Sequence, residues 1–149
     1  MKISSISELK KITKNIKKIL NPGDSVFLYG EIGVGKTTFS RILINIFESD
    51  NNLKKSEVLS PTFNIVFEYE INKFQIKHYD LYRLKTSRDI ENIGLFENVD
   101  SAIHLIEWPE LINEKPLNRL DLFFKYNKDY NERSLNIKTY GRLKKYEFK

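Results

Sequence analysis

The 149-residue sequence contains no cysteine, which excludes a disulfide framework and any thiolate metal site. It has only two histidines, far apart, and these cannot by themselves make a zinc site. Nowhere do about 18 apolar residues run together, as a membrane-crossing helix would require. The opening MKISSISELKK lacks the continuous apolar stretch of a secretory leader. A cytoplasmic protein with no membrane segment is therefore expected. No repeat, low-complexity tract or Pro/Gly-rich linker interrupts the chain, so residues 1–149 read as one domain, long enough to bury a core.

Charge is present in excess of one sign, but unevenly. The net value is +5, and residues 1–21 hold six Lys against one Glu while residues 125–149 hold eight Lys or Arg against three acids. The centre of the chain is consequently acidic. A pI near 9.2 would ordinarily suggest nucleic acid. Here the basic surplus lies in the ends and the motifs lie between them, so direct RNA binding is not the expected function.

Apolar spacing predicts a helix over 5–20, built on Leu9, Ile12, Ile16, Ile19 and Leu20, with Ser5 and Glu8 forming a capping box. A turn at 21–24 leads to a short buried strand over 25–29, then a glycine-rich loop and a helix over 36–47. Residues 64–70 and 74–80 read as a hairpin, 87–93 as a helix ending at Gly94, and 102–106 as another strand. A second hairpin is expected from 119–126 and 133–140, followed by a basic tail over 141–149. This order predicts an α/β fold: a P-loop NTPase-like three-layer domain whose mixed sheet combines parallel strands with antiparallel hairpins.

Gly30-Glu31-Ile32-Gly33-Val34-Gly35-Lys36-Thr37 satisfies G-x-x-x-x-G-K-[ST] at every defined position and lies between a strand and a helix. Glycines let the chain curl so that backbone N–H groups point at phosphate oxygens, and the helix N-terminus adds partial positive charge. Lys36 is expected to bridge the β and γ phosphates and the Thr37 hydroxyl to ligate Mg²⁺. The ATP-binding candidates are accordingly Gly30, Gly33, Val34, Gly35, Lys36, Thr37 and Thr38.

Phosphoryl transfer also needs an acid near the metal and a group that orients the nucleophile. Asp80 and Glu107 each stand at the end of a predicted strand, where ligands of open α/β sheets bind. Both are candidate catalytic groups with Lys36, and candidate metal ligands with Thr37. The loop Ser60-Pro61-Thr62-Phe63 offers a hydroxyl able to reach Mg²⁺ or the γ phosphate. Trp108, the sole Trp, is expected in an extended segment before Pro109, either over the nucleotide, on a partner surface or as a core anchor. His78 and His104 read as strand side chains. The guanine-reading motif N-K-x-D is absent, which disfavours a GTPase. A small-molecule kinase would need a lid and several Arg, and only Arg83 and Arg88 lie close together outside the termini. A nucleotide-binding partner without turnover stays open as a third class.

Gly30–Arg41, Ser60–Phe63, His78–Leu84 (HYDLYRL) and Leu105–Glu110 (LIEWPE), in this order and spacing, resemble the TsaE (YjeE) family, the small P-loop ATPases of tRNA threonylcarbamoyladenosine biosynthesis. The resemblance covers about residues 1–126. It implies ATP and Mg²⁺ as cofactors, Thr62 in a switch-like loop near the γ phosphate, and Asp80 in the Walker B role. Glu107 would assist the metal or orient water, with Trp108 beside it at the nucleotide. It also implies TsaD and TsaB homologues as partners, tRNA reached only through their complex, and weak hydrolysis by the chain alone. Glu31 and Val34 depart from the Asp and Ala more usual in the family, and the basic end has no counterpart in it.

Overall fold

The structure, a computed structural model, describes residues 1–149. One seven-stranded sheet runs through it in the order β1-β7-β6-β2-β5-β4-β3. Strands β2 (Ser25–Tyr29), β4 (Phe74–Asp80), β5 (Ala102–Glu107) and β6 (Arg119–Tyr126) are mutually parallel. β3 (Val66–Ile71) joins β4, and β7 (Arg133–Thr139) joins β6, as antiparallel hairpins. The mixed α/β sheet expected from the sequence is therefore present.

Strand β2 is central and flanked by parallel neighbours, so both of its faces are covered; Val26, Phe27 and Leu28 are fully buried, and the strand reads as a continuous apolar run. On one face pack α1 (Ile6–Ile19) and α2 (Lys36–Asp50), whose Leu9, Ile16, Phe39 and Leu43 meet Val26, Leu28, Leu105 and Leu122. On the other face, α3 (Ser87–Asn92) and the segments after β4 and β5 cover Phe27, Tyr79 and Ile106 through Ile90, Leu95 and Ile112. Three layers result. Burying a side chain such as Phe27 contributes roughly 1.5–3 kcal/mol, and the two faces share that gain along every central strand.

Local chemistry sets the ends. The Ser5 hydroxyl caps α1 by accepting from Glu8 N at 3.2 Å, but Glu8 reaches past Ser5 to Ser4, accepting from its N at 2.6 Å and its Oγ at 2.9 Å. The predicted capping box is thus only half formed. A complete box occurs at Thr86 and Asp89, which start α3, and Gly94 follows its end at φ +60°.

Some expectations are corrected. β3 begins at Val66 rather than residue 64 because Ile65 adopts φ +70°, a left-handed conformation that costs a β-branched residue roughly 1–3 kcal/mol. Its carbonyl accepts from Asp80 N at 2.9 Å, tying the preceding loop to the end of β4. The two-residue β1 (Lys2–Ile3) was not expected; it pairs with β7, and the terminal ammonium donates to the Leu135 carbonyl at 2.8 Å. So short a strand leaves no periodicity to read. Nor are residues 141–145 a trailing basic tail. Gly141–Lys145 form a 3₁₀ turn that buries Leu143 completely, and Arg142 reaches the buried Asp24.

Candidate functional site

The glycine loop crosses the carboxyl end of β2 and opens α2. Gly30 has φ +144°, and a Cβ there would lie 2.7 Å from the Phe124 carbonyl oxygen. Only glycine lets the loop leave the sheet so close to β6. Gly35 is the N-cap of α2 at φ +121°, offers no side-chain cap, and faces open space. The first N–H groups of α2, on Lys36, Thr37 and Thr38, thus end the helix without the hydroxyl or carboxylate that usually satisfies them. That cradle has the donor geometry and dipole sign for an anion.

Strand register brings the acids to the same place. Asp80 and Glu107 are paired at the ends of β4 and β5, and Leu28 pairs with Glu107 at the end of β2. Both carboxylates are buried. Glu107 Oε1 accepts from Thr37 Oγ1 at 2.8 Å, linking α2 to β5 across 70 residues. Asp80 Oδ2 accepts from Thr62 Oγ1 at 2.9 Å and from Ser60 Oγ at 3.2 Å, while its Oδ1 accepts from Tyr82 N at 2.9 Å. The Ser60–Thr62 loop is thereby held against the end of β4.

Lys36 is buried and folded back, its Nζ donating to the carbonyls of Gly30 and Glu31 and lying 4.0 Å from the Trp108 ring centroid. Burial pushes its ammonium below the ordinary lysine range, against the pull of Glu107, Glu110, Asp80 and Glu31. Trp108 does not continue an extended segment as expected. It takes φ +59° and ψ +58°, because the chain reverses into the 3₁₀ turn Pro109–Leu111 with Pro at its first position. The reversal lays the indole over Lys36 and 4.9 Å from the Tyr82 ring.

Together these groups line a cavity of about 350 Å³ containing Gly33, Gly35, Lys36, Thr37, Thr38, Ser60, Thr62, Asp80, Glu107 and Trp108. Two of the predicted loop residues lie outside it. Val34 turns its side chain into the core, and Gly30 sits beneath the loop with its carbonyl on Lys36. Ser60 belongs to the loop that the sequence offers as a candidate, whereas Tyr82 and above all His78 are site residues the sequence reading does not single out. His78 is fully buried, with Nε2 2.6 Å from Glu107 Oε2. The signal was available: residues 78 and 80 of one strand share a face. His104, by contrast, is a buried strand side chain without a hydrogen-bond partner.

No group of three or more His, Cys, Asp or Glu is arranged to hold a metal ion by itself. Two carboxylates and a hydroxyl suit a hard cation that keeps several ligands from water and phosphate, as Mg²⁺ does. No helix is long and apolar enough to cross a membrane.

Comparison with known proteins agrees with this architecture. The family model described as threonylcarbamoyl adenosine biosynthesis protein TsaE matches residues 3–135. The tRNA threonylcarbamoyladenosine biosynthesis protein TsaE of Rickettsia conorii is 41% identical over 110 residues, covering 74% of this chain and 61% of that protein. Its Bacillus subtilis namesake is 34% identical over 136 residues, covering 90% and 81%. The crystal structure of Bacillus subtilis YdiB superposes with a TM-score of 0.72 at 29% identity, covering 95% of this chain and 84% of that one. The fold is that of a P-loop NTPase-like α/β protein. Within that class the chain belongs to the TsaE family, whose members serve threonylcarbamoyladenosine biosynthesis, and its match spans about three-fifths of the Rickettsia conorii relative.

Proposed function

We propose that this chain binds ATP with Mg²⁺ in the cavity beneath Trp108, hydrolyses it slowly, and uses that cycle to license or reset a threonylcarbamoyltransferase formed by TsaB and TsaD homologues. The observation that carries this reading is the 2.8 Å contact between Thr37 and Glu107, which joins the hydroxyl of the glycine loop to a strand-end carboxylate. In a P-loop enzyme that hydroxyl and such an acid flank the cation.

The N–H groups at the start of α2 and the loop would receive the β and γ phosphates, and Lys36 would exchange its two carbonyl partners for phosphate oxygens. Thr37, Asp80 and Glu107 would hold Mg²⁺, whose chemistry there is to neutralise charge on those oxygens. Thr62, bonded to Asp80, would be the group through which a γ phosphate reorganises the loop. Water then attacks the γ phosphorus, the bond to the β–γ bridging oxygen breaks, and ADP and phosphate leave. The cavity is lined by one lysine and no arginine. Isolated turnover is accordingly weak, with partner contact supplying what the site lacks, and tRNA is met only through the complex. The protein works in the cytoplasm.

The test is phosphate release from ATP and Mg²⁺ by the chain alone and with TsaB and TsaD homologues from the same organism, with Glu107→Ala as control. Stimulation by the pair that disappears in the variant supports the proposal. No stimulation, or a fully active variant, refutes it.

A further inference from the structure

We propose that His78 is a positioning residue: it fixes the Glu107 carboxylate so that one oxygen is presented to Thr37 and the cation position. The inference rests on the role proposed above for Glu107.

Its basis is the division of the Glu107 oxygens. Oε1 faces the cavity and accepts from Thr37; Oε2 faces the interior and accepts from His78 at 2.6 Å. A carboxylate can only accept, so His78 Nε2 carries the proton, and its Nδ1 is left buried without a partner. An unpartnered buried nitrogen is costly. On the same face of the sheet the neighbouring Val26, Ile76 and Leu105 are all apolar and fully buried, and an apolar residue at 78 would complete that layer. Instead an imidazole occupies it, with its single hydrogen bond spent on Glu107.

The two acids are also held from opposite sides. Asp80 takes its bonds from Ser60, Thr62 and Tyr82, all on segments outside the sheet, so its orientation follows the loop. Glu107 is held on its inner side by a strand residue. A glutamate has several rotatable bonds to restrain. Partners of this kind behind ligating groups typically change metal affinity by about 10–100-fold when removed. Through His78 the Glu107 oxygen stays in place whether or not the Ser60–Thr62 loop rearranges.

Trp108, adjacent to Glu107 and the sole tryptophan, supplies a readout independent of turnover. Mg²⁺ is titrated into protein saturated with ADP while Trp108 fluorescence is followed, and ADP affinity is measured separately in EDTA. His78→Leu should raise the Mg²⁺ midpoint about tenfold or more, leave the metal-free ADP affinity unchanged, and lower phosphate release. His78→Gln, whose amide nitrogen can occupy the place of Nε2, should restore the midpoint. If the Leu variant does not fold, His78→Asn takes its place, since its amide stops short of Glu107. An unchanged midpoint in the Leu or Asn variant, or a Gln variant as impaired as they are, overturns the inference. Glu107→Gln separates the two levels. If it shifts the midpoint and His78→Leu does not, only the inference falls; if it does not shift the midpoint either, the cation role of Glu107 falls and takes the inference with it.

Discussion

Asp80 and Glu107 are register partners at the ends of adjacent parallel strands, both buried and both on the face that carries the glycine loop. Lys36 lies near both and Thr37 touches one, so the two carboxylates share one lysine. Two negative charges buried at one place in the fold oppose folding unless enough positive charge offsets them. Asp80→Asn should therefore raise the thermal midpoint of the nucleotide-free protein while lowering phosphate release about a hundredfold or more, the scale of losing a preorganised electrostatic contact. Differential scanning calorimetry and a phosphate assay on the same preparation check it. A lower midpoint with activity retained would make Asp80 a structural residue.

Two glycines of one loop should fail in different ways. Alanine at either 30 or 35 forces a left-handed φ, which costs roughly 1–3 kcal/mol. At Gly30 the new Cβ also meets the Phe124 carbonyl oxygen and Val34 Cγ1, whereas at Gly35 it meets nothing within 4 Å. Gly30→Ala should thus show the larger drop in urea midpoint. Gly35→Ala should lose nucleotide affinity disproportionately, because its methyl enters the cradle at the start of α2. Equal losses of stability in the two variants would contradict this.

Arg142 closes the structure far from the cavity. Its guanidinium donates to both oxygens of Asp24 and to the Ile19 carbonyl, joining the chain end to the turn after α1. Burial nonetheless pushes the Asp24 carboxyl above its usual range, so the pair is only partly compensated. Arg142→Met should cost about 1.5–3 kcal/mol, the usual value of hydrogen bonds to a charged group. Asp24→Asn in the same background should recover part of it, and a chemical-denaturation cycle of the four proteins measures the coupling. Additive effects would mean that the contact contributes nothing.

The loop, the strand-end acids and the order of the main elements are legible in the sequence because each leaves a pattern: fixed glycine spacing, apolar runs followed by Asp or Glu, turn residues between alternating stretches. The features that leave no such pattern are set by tertiary contact. Nothing local marks Lys2–Ile3 as a strand, since only β7 across the sheet makes it one. The reversal at Trp108 defies the extended preference of a residue before proline and places the indole over the Lys36 ammonium and against the tilted Tyr82 ring, contacts that no local pattern reveals. His78 was legible as a strand residue but not as the partner of Glu107. That pairing depends on the parallel register of β4 and β5, which places residue 78 diagonally beneath residue 107.

His104 gives the fold a pH dependence of calculable sign. Buried beside Tyr79 and Phe96 and paired in register with Lys77, its imidazole is pushed from 6.5 down to about 4 by desolvation, with Lys77 adding to the effect. As pH falls, the unfolded chain takes up this proton first. Unfolded protein therefore binds more protons between pH 6.5 and about 4, and stability drops across that window. At about 1.36 kcal/mol per pH unit, the full loss from this residue is roughly 3 kcal/mol. Asp24 and Asp121, both raised by burial, act with the opposite sign, while Glu8 and Asp89, both lowered chiefly by backbone hydrogen bonds, act with the same sign, so the total acid profile blends all of these groups. The difference between wild type and His104→Phe isolates the histidine. Phenylalanine keeps the stacking, and the variant should gain on wild type progressively as pH is lowered from 6.5 towards 4 in urea melts. A difference that stays constant with pH would mean that the imidazole takes up its proton equally well in the folded chain.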